Sequence, residues 1–551
     1  MNRPIVAALV IGILLVLGSV LAVIVADDPA SEVGPSGPET DGDTTGADAD
    51  EPVEGGILRL ALQRPDSLDP ALAESGLQHD IIMADLLFDG LTAADPATAE
   101  VLPAVAASWS SDDDLTAWTF KLADRSFHDG ASITAADVVA TLERVARRGI
   151  ISAASVQLET IAGYRQYVVD RDTEALEGVT AVDARTVRVD LTEPVPTFPL
   201  LMSNAAYGIV PADADAPTEP PFSTEPNGSG PFALAGRVEV TDGVVELRLR
   251  AADEADMFLD GIDVLLVNDP DVGYQAFVDG DVDAAIVPRD SVSDAAVRYG
   301  DDAYGLYAAE FFYAFNLDQD KFKNRPFREA IAAAIDRDGI VADVFGGNHA
   351  ALSTLIPAGV IGHQANACPK CAFDVDTAGV RLAEAFPDGD VPLVNIDFDD
   401  NETQRAVAQA IADDLNVVGI PTNLRPRSFD GGAYAEFLAS GDADLFRLGW
   451  FGAYPAPDAF LMPLFRTGAP DNLTGFSSEI IDEKLDLARR TVDAEERQVI
   501  LRDVQRRILD VVPVVPILQF RTNMVVAERV HGLVPTVMGT FDPSLVWLAS
   551  K

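Results

Sequence analysis

A mixed α/β protein organised in two lobes is expected from this chain. Its 551 residues exceed the size at which one hydrophobic core usually stops growing, so two or three lobes are anticipated. From Gly55 onward, strand-like alternation and helix-like periodicity succeed each other. The pattern recurs after residue 400, which marks a second α/β lobe.

GGILRLALQ alternates apolar residues as a half-buried strand does. HDIIMADLLFDGL follows as a helix with Ile82 and Leu86 on one side and Ile81 and Phe88 on another, so it is buried rather than cleanly amphipathic. TAWTFKL and TVRVDL read as strands, and ITAADVVATLERVARR as a helix opened by Thr134. FHDG reads as a tight turn, because His128 and Asp129 have no nucleophile or metal partner beside them in the sequence. YQAFVDGDVDAAIVP reads as helix, Asp-Gly turn and strand. NRPFREAIAAAIDRDGIVADVFGG carries Phe327, Ile331, Ala334 and Ile335 at the spacing of one helix face. ETQRAVAQAIADDLNVVGIPTNL places Val407, Ile411, Leu415 and Val418 on one stripe, with Gly419 as a stop signal and a strand beyond. EERQVILRDVQRRILDVV is the last strong helix. The prolines of PVVPILQF suit an edge or crossing segment rather than a central strand.

The chain carries 39 basic against 89 acidic residues, a net charge of −50. Its lysines are only Lys121, Lys321, Lys323, Lys370, Lys484 and Lys551, which leaves little to neutralise phosphates, and nucleic acid is not expected as a partner. The charge reads as a solvated surface. After Arg3, residues 4–26 carry no charge, a run long enough to span a bilayer with its basic end inside, so the bulk of the chain should lie outside the membrane. Residues 1–26 fit either an uncleaved transmembrane anchor or a signal segment cut after Ala26. The length of the run favours the anchor, because cleavable apolar regions run about 7 to 15 residues. Residues 27–54 are acidic and rich in Gly, Pro and Thr, and read as a flexible linker. Cys368 and Cys371 are the only cysteines. Outside the cell a short-loop disulfide is the expected state; a zinc site, with His363 the nearest histidine, and a redox pair are the alternatives.

G-x-S-x-G, H-E-x-x-H and a cysteine-histidine pair in a recognisable context are absent, so no enzyme motif stands out, although paired carboxylates of a glycosidase are spatial and have no motif. GSGPFA fits a G-x-G-x-x-A pattern, but Pro226 and Pro231 flank it without a clear strand-then-helix unit, so it reads as a turn and no nicotinamide cofactor is expected. LFRLGWFGAYPAPDAF, residues 445–460, joins a strand-like run to an aromatic and proline loop. There Trp450 offers flat apolar area and Arg447 a fork that fits a carboxylate, unless Trp450 is a core residue and Arg447 pairs with an acidic neighbour.

In order along the chain, GGILRLALQRPDSLDP, LLFDGL, VLPAVAASWSSDDDLTAWTFKLADRSFHDGASITAADVVATLER, GSGPFAL, FNLDQDKFKNRPFREAIAAAIDRDGIV, DLNVVGIPTNL and RLGW resemble the peptide/nickel-type extracellular solute-binding proteins of ABC importers, the dipeptide- and oligopeptide-binding group. The resemblance covers residues 55–550. It implies a type II periplasmic-binding-protein-like fold, two hinged α/β lobes with an extra subdomain inserted in the first. By that analogy lobe I comprises 55–90, 205–305 and 529–551, the inserted subdomain 91–204, and lobe II 306–528. A solute, by family a peptide, would be enclosed between the lobes and handed to permease subunits driven by a cytoplasmic ATPase. A monomer is expected, without cofactor, metal site or catalytic residue, anchored by its N-terminal helix at the extracytoplasmic face. A non-peptide cargo, a signalling role or, less favoured, a secreted hydrolase are the alternatives.

The same resemblance gives Trp450 and Gly449 a place at the cleft, with Trp450 walling a side-chain pocket and Arg447 meeting a peptide carboxylate. It places Glu74, Ser75 and Gly76 at the cleft edge of the first lobe, and Tyr313 and Asn316 on a strand beside the cleft. Relatives commonly carry an aspartate three residues after the tryptophan that pairs with the peptide's α-ammonium. Here that position is Ala453, a second frequent aspartate position is Ala456, and Asp458 would need a shifted loop to stand in.

Overall fold

The computed structural model describes residues 51–549, apart from 74–76, 97, 150–151, 218–219, 242–243, 253–255, 301–303 and 430–431. The anchor or signal segment 1–26, most of the linker, and Glu74, Ser75 and Gly76 therefore lie outside the described residues.

An eleven-stranded mixed sheet runs through both lobes. From one edge its strands are Thr422–Arg427, Val394–Asp399, Leu445–Phe451, Tyr304–Phe315, Val514–Val526, Ala284–Ile286, Ile57–Gln63, Gly261–Val267, Val244–Ala251 and Phe232–Thr241, with Ala350–Ala351 also paired to Val514–Val526. Val514–Val526 joins the halves. Its first part runs antiparallel to Tyr304–Phe315, Val514 lying opposite Ala314, and its end runs antiparallel to Ala284–Ile286, Val526 lying opposite Ala284. This proline-bearing segment crosses from one lobe to the other, as expected, but it does so in the middle of the sheet rather than at an edge. Pro516 sits where the register shifts between Phe311 and Phe312, so the missing N–H falls at an irregularity of the ladder. A second shift lies between Leu306 and Glu310.

Three large hydrophobic cores lie among the described residues. One packs Leu58, Leu60 and Leu86 against Leu247, Ile262 and Val546. A second gathers Phe120, Val138, Leu142, Val187 and Phe198 around a four-stranded antiparallel sheet that includes Ala117–Leu122 and Thr186–Asp190. The third joins Phe311, Phe327, Ile411, Leu445 and Val504. The helix Ala135–Arg147 is opened by a capping box in which Thr134 and Asp137 bond reciprocally. The helix Glu402–Val417 buries Val407, Ile411 and Leu415 and stops before Gly419, whose φ is +89°.

The GSG turn holds two of these cores together. A Cβ on Gly228 would stand 2.0 Å from the Leu87 carbonyl oxygen, and one on Gly230 would stand 2.4 Å from the Phe88 nitrogen, so both glycines serve a close backbone approach. The FHDG turn docks on the same place, where a ring nitrogen of His128 lies 2.9 Å from the Gly230 carbonyl oxygen.

Candidate ligand-binding site

Two cavities flank the loop that follows Trp450. One, of about 440 Å³, lies between the 153–201 region and the third core, and is lined by Gln157, Thr197, Trp450, Tyr454, Met462 and Arg466 among others. The other, of about 550 Å³, lies between the first core and the same loop, with Asp85, Asp89, Asn204, Tyr307 and Ala453 in its wall. Gly452, Ala453 and Tyr454 line both, so this loop is the partition between them.

Trp450 sits at the end of the strand Leu445–Phe451, half-buried, with its Nε1 donating to the Ala459 carbonyl at 2.7 Å. That bond fixes the indole plane against the wall. Tyr454 donates its hydroxyl to Asp458 Oδ2 at 2.8 Å, and Thr197 Oγ1, from the opposite side of the cavity, donates to the same oxygen at 2.7 Å. Asn204 Nδ2 donates to the Ala453 carbonyl at 2.9 Å. Glu193 ion-pairs with Arg489 and, at 3.3 Å, with Arg466. Burial pushes the Glu193 carboxyl upward, but the Arg489 guanidinium outweighs this and leaves it below the usual carboxylate range. Burial, with the Asp458 charge adding to it, holds the Tyr454 hydroxyl well above the usual tyrosine value, so it stays a donor.

The cavity walls also carry carboxyls that hold protons unusually well. Burial, with the Glu159 charge adding to it, pushes Asp471 up to about 7. In the second cavity burial pushes Asp85 up to about 7 despite a hydrogen bond from Thr540. Such shifts are frequent where binding sites are built.

The other residues expected at the cleft are placed elsewhere, and the expectation is corrected for four of them. Arg447 is 0 % exposed, with its Nη1 3.0 Å from Asp399 Oδ1 and its guanidinium over the Phe311 ring at 5.4 Å. The guanidinium is thus enclosed beside a carboxylate of the chain and lines neither of the two cavities described above. Gly449 is buried on the same strand opposite Phe311. Tyr313 is fully buried edge-on to Phe311, and burial drives its hydroxyl far above the usual range. Asn316 clasps the chain turn at 441–443, its Nδ2 donating to the carbonyls of Gly441 at 2.9 Å and Ala443 at 2.7 Å. Of these, Trp450 lines one of the two cavities described above. Cys368 and Cys371 are joined in a disulfide and both are buried, well along the chain from the cavity residues.

Strand alternation carried a signal that separates these residues. Arg447 and Trp450 are three apart, so their side chains leave opposite faces of the sheet. The acids Glu159 and Asp471 and the clasp residue Thr197 had no such signal, since their grouping is made only by folding.

Residues 100–472 match the family described as bacterial extracellular solute-binding proteins, family 5 Middle. The chain belongs to this family. It is similar to the periplasmic murein peptide-binding protein MppA of Escherichia coli (strain K12), with 25% identity over 86% of this chain and 90% of the relative. It is also similar to the dipeptide-binding protein DppE of Bacillus subtilis (strain 168), 24% identical over 87% of this chain and 89% of the relative. Among solved structures, the unliganded open form of MppA superposes with a TM-score of 0.78 at 23% identity, covering 91% of this chain and 98% of that one. The two-lobed type II architecture is that of the family. Family members are extracytoplasmic binding proteins rather than enzymes, and they capture a solute for the permease of an ABC importer. No helix among the described residues is long and apolar enough to cross a membrane.

Proposed function

We propose that this chain binds a peptide against Trp450, in the cavity between the inserted subdomain and lobe II, and delivers it to its permease. The observation that carries the reading is the indole itself: a large aromatic, braced by Ala459, on the wall of a cavity of about 440 Å³ with backbone and polar groups around it. We take the inserted subdomain as 91–204, a division supported by a separate core that runs from Ala71 to Ile209. Closure of the lobes would then enclose the cargo and give the permease a two-state signal.

We further propose a monomer on the outer face of the cytoplasmic membrane, tethered by residues 1–26, a reading supported by their uncharged run from Pro4 to Ala26. Mass spectrometry of the N-terminus from purified membranes tests the tether, since cleavage after Ala26 would overturn it. Titration calorimetry of the full chain against mixed di-, tri- and tetrapeptides tests the cargo. Saturable binding that Trp450→Ala weakens at least about tenfold is expected. Binding unaffected by the substitution would move the site elsewhere.

A further inference from the structure

The inserted subdomain is joined to its two neighbours in different ways. Toward lobe I it shares a core, in which Ala71, Tyr207 and Ile209 of lobe I pack with Phe120 and Leu142 of the subdomain. Arg144 bridges the buried Asp69 and, at 2.6 Å, Asp215. Asp137, in the first turn of the same helix, accepts from the Ala212 nitrogen at 2.9 Å. Toward lobe II, the apolar side chains packed on that core are, among the described residues, Ala453 and Tyr454. The bonds across this second junction are polar. Glu193 ion-pairs with Arg489 and, at 3.3 Å, with Arg466. Thr197 donates to Asp458 at 2.7 Å, and Asn204 to the Ala453 carbonyl at 2.9 Å.

A shared core separates only by exposing apolar surface to water, whereas ions that water already reaches exchange their partners for it at little cost. The Glu193 side chain is 31 % exposed and that of Arg466 34 %, so their pair can part and re-form. Arg466 keeps a partner when Glu193 leaves, because Asp486 lies 3.0 Å away. Small polar junctions are where domains of one chain move relative to each other. Glu193, Thr197, Arg466 and Arg489 all line the Trp450 cavity, so parting this junction opens that cavity. We propose that the inserted subdomain moves with lobe I, and that Glu193, bridging Arg466 and Arg489, is the latch that holds it on lobe II over the Trp450 cavity. Glu193 is thereby a positioning residue, which sets how long the cavity stays closed. The latch rests on the division given above, with the subdomain at 91–204 and lobe II at 306–528.

Pulsed dipolar spectroscopy of spin labels on the full chain tests the latch without cargo. One label pair, Glu174→Cys with Glu495→Cys, spans the subdomain and lobe II; a second, Glu174→Cys with Asp281→Cys, spans the subdomain and lobe I. The three positions are exposed, and Cys368 and Cys371 are held in their disulfide. In Glu193→Gln the first pair is expected to shift about fivefold in population toward longer distances, while the second stays as in the parent and so reports an intact fold. The Arg466→Gln, Arg489→Gln double variant should reproduce this shift. Salt at about 1 M, where the screening length is about 3 Å, should lengthen the first distance in the parent and leave Glu193→Gln nearly unchanged. A first pair that is the same in parent and Glu193→Gln overturns the latch. A second pair that shifts along with the first also overturns it, because the subdomain would then not travel with lobe I. Failure of the mixed peptides to bind would overturn the peptide reading alone, since the distances are recorded without cargo.

Discussion

Arg447 and Trp450 stand three residues apart on one strand and meet opposite surroundings. Arg447 is sealed in the core beside Asp399, its charge answered within the chain. Trp450 is half-buried at the rim of a cavity whose acids Glu159 and Asp471 have, among the described residues, no basic side chain at ion-pair distance. At Arg447 the core supplies a countercharge, because an unpaired ion there costs several kcal/mol. The cavity can leave charges open because water, or cargo, reaches them. At these two positions, charge compensation sets a buried scaffold residue apart from one at a cavity.

The largest effect should come from breaking the sealed pair. Arg447→Met is expected to destabilise the fold by about 3–5 kcal/mol in chemical denaturation, because Asp399 is left buried without its cation. The double variant with Asp399→Leu should recover much of this. A single variant as stable as the parent would mean that the pair does not hold the core.

Glu310 sharpens the same contrast, since it is a core carboxyl without a cation. It lies opposite Trp450 in the sheet and is 0 % exposed, neither of its oxygens has a hydrogen-bond partner, and burial raises its pKa well above the usual value of 4.5. The folded state therefore binds a proton that the unfolded chain releases. This contribution is complete below about pH 4.5 and is lost as pH rises toward the folded value, at about 1.4 kcal/mol for each pH unit. Glu310→Gln should flatten the denaturation profile above pH 4.5 by that slope. Identical profiles for the two proteins would show Glu310 to be ionised or solvated.

On the cavity side, Trp450→Ala should lower peptide affinity at least about tenfold while changing the melting temperature by only a few degrees, as calorimetry and thermal denaturation would record. Comparable losses in stability and affinity would make the indole a scaffold residue. The smallest change is expected from Thr197→Val. It removes the hydroxyl that bridges to Asp458 and Tyr454, at a cost of about 1 kcal/mol in denaturation. No change would mean that this clasp across the cavity is not maintained in solution.

Much of the scaffold was legible from local pattern. Thr134 opens its helix as the sequence suggests, with Asp137 completing the capping box, and the stripe of Val407, Ile411 and Leu415 is buried. The proline-bearing strand Val514–Val526 was harder. It is central because Pro516 falls at a register shift, and no local rule announces such a shift. Of the residues that the sequence singled out, Trp450 lines the cavity proposed as the site. Arg447 belongs to Asp399, which precedes it by 48 residues, and a pairing across strands is invisible to a reading along one strand. Glu159 and Asp471 lie 312 residues apart among 89 acidic residues, so nothing but the fold could single them out.

Native mass spectrometry of the full chain, purified without denaturant, tests the central claim most directly. The account predicts a bound mass that fragments as a peptide, present in the parent protein and absent or much reduced in Trp450→Ala. A bound solute that is not a peptide, or a peptide retained undiminished by Trp450→Ala, would contradict it.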